Sequence, residues 1–387
     1  MVELATTWSF PTEIIFGVGR IAALGDFCKT HNIRAPLVVC DPGIANLPIV
    51  ERAMGILHDA QLSPAMFYDI QPNPTAENID AGMAVMQQGQ HDGIIAFGGG
   101  SAMDAGKVIA FMRGQTRPIW DFEDIGDWWK RADESNIAPI ICVPTTAGTG
   151  SEVGRAGVII NTQTRTKKVI FHPKMLAKTV ILDPELTKDL PPSITAGTGM
   201  DALAHCLEAY CAPGFHPMCE GIAVEGMRLV LGALEDAYHD GHAIQARAHM
   251  QVAASMGAVA FQKGLGGIHA LSHPVGSLYN THHGMTNATF MPYVLLHNQQ
   301  AICDKIDRLA AWLGITGGFF GFVDHIMALR TALSIPHSLE DLGVDDQQFT
   351  QIASMAVVDP TASGNPLPLD EAACIGLLEK SFTGNVS

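Results

Sequence analysis

Residues 93–112 read GIIAFGGGSAMDAGKVIAFM. Residues 93–97 are an uninterrupted apolar run, which suits a parallel strand covered on both faces. Gly98-Gly99-Gly100 ends the run, and residues 101–112 have helical spacing. A strand, a glycine turn and a helix in that order open a βαβ unit. The pattern recurs nearby. Residues 36–40 (PLVVC) end at Asp41-Pro42-Gly43, and residues 137–143 (IAPIICV) end at Pro144-Thr145-Thr146. Residues 76–89 supply another helical stretch, and residues 9–19 read as an additional N-terminal strand or hairpin. An α/β dinucleotide-binding domain with a Rossmann-like parallel sheet is predicted over residues 1–188.

After Asp183-Pro184-Glu185-Leu186 the texture changes. Residues 202–210, 223–237, 246–261 and 302–313 are rich in Ala, Leu and Met at helical spacing. The break falls at Leu190-Pro191-Pro192, so residues 189–387 are expected to be all-helical. Two domains suit a chain of 387 residues. The net charge of −16 disfavours a nucleic-acid partner, which would need a basic face. No run of eighteen apolar residues suggests a membrane span. The first residues, MVELATTWSFPTEIIFG, lack the basic and apolar segments of a signal peptide. The eight cysteines form no CxxC pair and sit mostly in apolar contexts, as expected of buried thiols in a cytoplasmic protein.

Ligands of open α/β sheets bind at the carboxyl ends of the strands. There, Gly98-Gly99-Gly100 would let backbone N–H groups approach a pyrophosphate, and the positive end of the following helix faces the same anion. Ser101-x-x-Asp104 also reads as a helix N-cap with an acidic third residue. The turn is not the GxGxxG fingerprint. Residues 144–152 (PTTAGTGSE) are more specific, because four hydroxyls and two glycines follow a buried strand and can cradle polar cofactor groups. Asp41, at the end of another strand, can accept from an adenosine ribose and would repel a 2′-phosphate, which favours NAD over NADP. An Asp-Pro-Gly turn explains the same residue.

A second cluster lies in the helical half. Asp201 and His205 stand four apart in an otherwise apolar helix and therefore share a face. His269 and His273 repeat that spacing, and His282-His283 follows. A carboxylate with imidazoles suits Fe2+ or Zn2+ and lacks the thiolates of structural zinc sites. Each histidine alone reads as an ordinary core or surface residue. An acid in an apolar helix with no neighbouring Lys or Arg is harder to explain without a metal.

Together these stretches resemble the iron-containing (group III) alcohol dehydrogenases over nearly the whole chain. The motifs run from FG-x-G at residues 16–19 through GGGS-x-x-D, PTTAGTGSE, DPELT and GMDALAHCLEAY to GIHALSHPVG, HHG and Asn365-Pro366. The resemblance implies a dinucleotide-binding domain, a helical domain and an active-site cleft between them. It implies one divalent metal, Fe2+ in the first place with Zn2+ compatible, on Asp201, His205, His269 and His283. His273 matches a histidine near the nicotinamide, and His282 matches no ligand. NAD contacts are implied at Asp41, Gly99, Gly100, Ser101, Asp104, Thr145, Thr146, Thr149, Ser151, Lys167 and Leu186. Members are usually homodimers or larger.

Within that family the wording is most similar to 4-hydroxybutyrate dehydrogenases, notably at residues 261–266 (FQKGLG), 169–173 (VIFHP) and 213–217 (PGFHP). Lys263 is a candidate anchor for a substrate carboxylate; a solvated lysine, or one paired with a nearby acid, is the alternative. The expected reaction is reversible oxidation of a primary alcohol, with His273 exchanging the proton. Simple alcohols or lactaldehyde-type substrates are the alternative within the family. A metal- and NAD-using lyase of the dehydroquinate synthase type would need more basic residues than Arg228, Arg247 and Lys263 across 198–285. A non-catalytic nucleotide-binding scaffold would not depend on Asp201 or His269. Residues 120–129 (WDFEDIGDWW) suggest a lid or an interface element.

Overall fold

The apolar runs at Pro36–Cys40, Gly93–Gly98 and Ile140–Pro144 are strands buried along their whole length. The computed structural model describes residues 9–10, 12–164 and 166–384. The chain divides into two compact units at Asp189 and Leu190. In chain order the first unit contains β1 (Glu13–Phe16), α1 (Leu24–Thr30), β2 (Pro36–Cys40), α2 (Pro48–Asp59), β3 (Ala65–Phe67) and α3 (Ala76–Gln88). It continues with β4 (Gly93–Gly98), α4 (Gly100–Met112), β5 (Ile140–Pro144), β6 (Ala156–Asn161), β7 (Thr166–Phe171) and β8 (Thr179–Leu182).

Six strands form one sheet in the order β1-β8-β5-β4-β2-β3, and every pairing in it is parallel. Val38, Ile95, Phe97, Ile141 and Val143 share a core cluster with Leu24, Val50 and Leu57 of the covering helices. Each such side chain contributes about 1.5–3 kcal/mol by leaving water. Of the strand or hairpin expected at residues 9–19, the described residues form the strand: β1 joins the sheet edge, with Glu13 opposite Thr179. The antiparallel β6–β7 hairpin lies outside the sheet. Residues 120–129 flank that hairpin. Asp124 N donates to Val169 O at 2.8 Å, and Lys168 Nζ lies 2.7 Å from Glu123 Oε1.

The second unit contains α5 (Pro192–Cys211), α6 (Pro217–His239), α7 (Ile244–Ala260), α8 (Gly267–Tyr279), α9 (His283–Leu313), α10 (Gly318–Ala332), α11 (Phe349–Val357) and α12 (Glu371–Thr383). Among its described residues there is no strand. Ser9 belongs to this unit, and its N–H donates to Gln262 Oε1 at 2.8 Å. Among the described residues, no single helix is long and apolar enough to cross a membrane.

Helix α5 packs against α6, α7 and α9, and from Gly199 to Cys211 every residue is buried. A helix enclosed all round must bury whatever polar groups it carries. The α5–α9 crossing is close because Gly284 has no side chain: a Cβ there would lie 2.0 Å from Gly197 O. Gly284→Ala should therefore destabilise the protein by about 1–3 kcal/mol, as overpacking does. Guanidinium unfolding measures this, and an unchanged midpoint would show that the crossing can open freely.

Candidate metal centre and cofactor loop

Three helices converge on one polar point in the second unit. Helix α5 brings Asp201 and His205 one turn apart, α8 brings His269, and His283 is the first residue of α9. Asp201 Oδ1 lies 3.8 Å from His205 Nε2, 3.8 Å from His269 Nε2 and 3.5 Å from His283 Nε2. Asp201, His205 and His269 are buried, and their ligand atoms all lie within 4.8 Å of one another. The His205 and His269 rings stack at 4.8 Å and 17°, and the edge of Phe261 closes on His205 at 5.2 Å.

This donor set fits a divalent cation. Asn287, one turn after His283, directs Nδ2 at Asp201 Oδ1 (2.7 Å), His269 Nε2 (3.2 Å) and His283 Nε2 (3.1 Å). With the rings neutral, three acceptors share a single amide nitrogen, and a cation would satisfy them all. Two carboxylates are buried here, Asp201 at 2% and Glu208 at 6% exposure. Among the described residues their ion pairs are all to histidines, and a dication balances two carboxylates. Burial pushes the Asp201 carboxyl up, but His205, His283 and His269 outweigh it and hold it below the ordinary range. For His269, burial lowers the ring pKa, while Glu208 and Asp201 raise it to about 9.

His273 stands beside the cluster. Its ring stacks on His283 at 5.5 Å and 12°, and its Nδ1 lies 2.9 Å from Asp359 Oδ2. Asp359, which lies in none of the sequence motifs, thereby fixes the ring. His282 caps α9 by accepting from Met285 N–H. Lys263 is committed elsewhere. Its ammonium bonds to Glu220 Oε1 at 2.7 Å and Tyr210 O at 3.2 Å, and its side chain is 2% exposed. Lys263 is thus paired with an acid, the alternative to a free carboxylate anchor.

In the first unit the two expected cofactor segments meet. Thr145 N donates to Gly98 O at 2.9 Å. A Cβ on Gly100 would lie 2.7 Å from Thr149 Cγ2, and one on Gly99 would touch Thr146. The glycine turn and the threonine loop can therefore be neighbours only without side chains on the turn.

Three expected contacts brace this arrangement. Asp41 Oδ2 accepts from Gly99 N at 2.7 Å, and burial pushes its carboxyl up. Ser101 lies inside α4, not at its cap, which is Gly99; its hydroxyl donates to Pro72 O. Asp104 accepts from Ser151 Oγ at 2.5 Å and from Val158 N at 3.0 Å, so the pair forms no capping box. Leu186 is a core residue at 4% exposure, and Lys167 lies on β7 opposite Ile160.

Lys107 braces the same loop, although no motif points to it. It is 1% exposed, and its ammonium bonds to Ser151 O at 2.8 Å, Ser151 Oγ at 2.6 Å and Ala156 O. A lone lysine in an apolar helix, three residues after an acid, is the signal the sequence carries for it.

The sequence profile of the iron-containing alcohol dehydrogenases matches residues 11–184, and that of their C-terminal domain matches residues 195–382. The chain belongs to the iron-containing alcohol dehydrogenase family. Members are metal- and NAD-dependent oxidoreductases that act on alcohols, and this chain is such an enzyme. It is 37% identical to the 4-hydroxybutyrate dehydrogenase of Cupriavidus necator over 96% of this chain and 98% of that one. A solved 1,3-propanediol oxidoreductase shares 32% identity with a TM-score of 0.92, covering 99% of this chain and 100% of its own. A sulfoacetaldehyde reductase from Bifidobacterium kashiwanohense, solved with NAD+, shares 27% with a TM-score of 0.89, covering 98% and 99%.

The His269 environment gives a pH dependence. A ring with a pKa of about 9 carries a proton at pH 7, and a metal must displace it. Metal affinity should therefore rise about tenfold per pH unit towards that pKa and then level off. Chelator competition across pH 6–10 measures this; a flat profile would show that metal binding displaces no proton from the ring.

Proposed function

We propose that the chain catalyses NAD-linked, reversible oxidation of a short primary alcohol to its aldehyde at a metal held by Asp201, His205, His269 and His283. The convergence of these four side chains from three helices carries the reading. Bound there, Fe2+ (or Zn2+) supplies Lewis acidity that lowers the pKa of the alcohol hydroxyl and polarises the aldehyde carbonyl. His205 and His269, stacked and buried, keep the ligand atoms pre-arranged and water out. Asp359 accepts from His273 Nδ1–H, which leaves His273 Nε2 able to take the proton released in alcohol oxidation. Gly99, Gly100, Thr145, Thr146, Thr149 and Ser151 form the cradle proposed for NAD. Asp41, beside that turn, favours NAD over NADP by charge. The eight cysteines are all free, which fits a cytoplasmic enzyme.

For the substrate we favour an ω-hydroxy acid such as 4-hydroxybutyrate, with succinate semialdehyde as product. The support is the 37% identity to a 4-hydroxybutyrate dehydrogenase along the whole chain. The bond between Lys263 and Glu220 favours a second reading, a neutral alcohol or diol, because it removes one carboxylate anchor.

Two measurements test the proposal. Asp201→Ala and His269→Ala should abolish NADH formation at 340 nm while NAD still binds; full activity in either would refute the metal assignment. A lyase, by contrast, would return its NAD unchanged. In a substrate panel, kcat/KM for 4-hydroxybutyrate should exceed that for butanol by about tenfold or more, in line with a polar site rejecting an unmatched substrate. Equal values would remove the hydroxy-acid reading. Lys263→Met should keep that discrimination, and its collapse would restore Lys263 as the anchor.

A further inference from the structure

We propose that Glu208 is a positioning residue for the metal centre: it fixes the tautomer and orientation of His269. This rests on the reading of His269 as a ligand. Helix α5 carries Asp201, His205 and Glu208 at i, i+4 and i+7, which places all three along one face. Glu208 therefore refers a ligand from another helix to the same rigid rod that carries two ligands of its own.

The bonding is specific. Glu208 Oε2 lies 2.6 Å from His269 Nδ1, and Oε1 accepts from Ile268 N–H at 2.6 Å. An ionised carboxylate can only accept, so Nδ1 must carry the hydrogen. In the neutral ring the lone pair is then on Nε2, the atom that faces Asp201 Oδ1. A negative acceptor on the far nitrogen also makes Nε2 a stronger donor to a metal.

The second oxygen serves the backbone. Ile268 lies in the first turn of α8, where N–H groups have no partner within the helix. Its neighbour Gly267 N donates to Asn365 Oδ1 at 3.0 Å. Asn365 in turn pairs reciprocally with Asn298 of α9, at 2.9 Å in each direction. The start of α8 is thus held from α5 and from α9, and His269 is the next residue along.

Glutamine at 208 has one acceptor oxygen where glutamate has two, so it cannot serve Ile268 N–H and His269 Nδ1–H on separate oxygens. The test uses metal-free full-length wild type, Glu208→Gln and Asp201→Ala, titrated with Co2+ and Zn2+ against a chromophoric chelator. Glu208→Gln should bind both metals about 10–100-fold more weakly, shift the Co2+ absorption bands, and keep its NAD affinity. Affinity within about threefold of wild type with an unchanged Co2+ spectrum would overturn the proposal, since loss of such a partner weakens binding by more than that. If wild type and Asp201→Ala bind metal alike, the metal reading itself fails and this one falls with it. Should circular dichroism show Glu208→Gln unfolded, 15N NMR of metal-free wild type, at a pH where the ring is neutral, decides. An Nδ1–H tautomer at His269 supports the proposal, and Nε2–H overturns it.

Discussion

An ionised carboxylate at 2% exposure, Asp201, sets the terms for the helical unit. Taking such a charge out of water costs several kcal/mol unless partners surround it. Helix α5 is enclosed along this stretch, so the partners must come from the helices packed around it. They come as imidazoles from α5, α8 and α9 and as the Asn287 amide, in place of lysine or arginine. That choice has a chemical consequence. An ammonium would neutralise Asp201 permanently, whereas imidazoles can give up a proton and then leave lone pairs aimed at the same point, which a metal can use. The close crossing at Gly284 follows from the same need, since it brings α9 near enough for His283 to reach Asp201.

The first unit meets a different constraint, one of shape. The glycine turn after β4 and the threonine loop after β5 approach until a methyl group would separate them. The polar residues around them hold that approach: Asp41 on Gly99 N, Asp104 on Ser151 and Val158, and Lys107 on the loop carbonyls. A residue that braces the backbone of a cradle acts on a ligand without touching it. The same carboxylate can then set local charge and hold the turn, as at Asp41.

Much of this was legible in the sequence, for identifiable reasons. Strands β2, β4 and β5 are buried on both faces, so their apolar runs are unbroken, and each ends in turn residues. Strand β8 has four residues, and in the β6–β7 hairpin only Gly157, Ile159 and Ile170 are buried, beside two lysines, so neither stood out. Asp201 and His205 were legible because polar residues at i and i+4 interrupt an apolar helix. His282 and His283 are adjacent at a helix start, where one residue caps and the next points inward; spacing cannot say which, and the family resemblance supplied the order. Glu208 sits seven residues from Asp201 on the same apolar helix, so its spacing carried a signal, but its partner His269 lies on another helix. Asp359 is distant in sequence from His273, and only the fold brings them together.

Relatives that share this fold are named for differently charged substrates. The solved relatives have TM-scores of 0.92 and 0.89 to this chain, yet they are named for a neutral diol and for a sulfonated aldehyde. A shared architecture therefore does not select the substrate's charge. The Lys263 cluster illustrates how the two can vary independently. Glu220 Oε1 receives both Lys263 and Lys305, each at 2.7 Å. Removing Lys263 leaves Glu220 with a cationic partner, so no buried carboxylate is stranded, the situation that makes loss of one member of a buried pair severe. The position can change side chain without exposing the fold to that penalty, whereas the Asp201 cluster has no such spare cation.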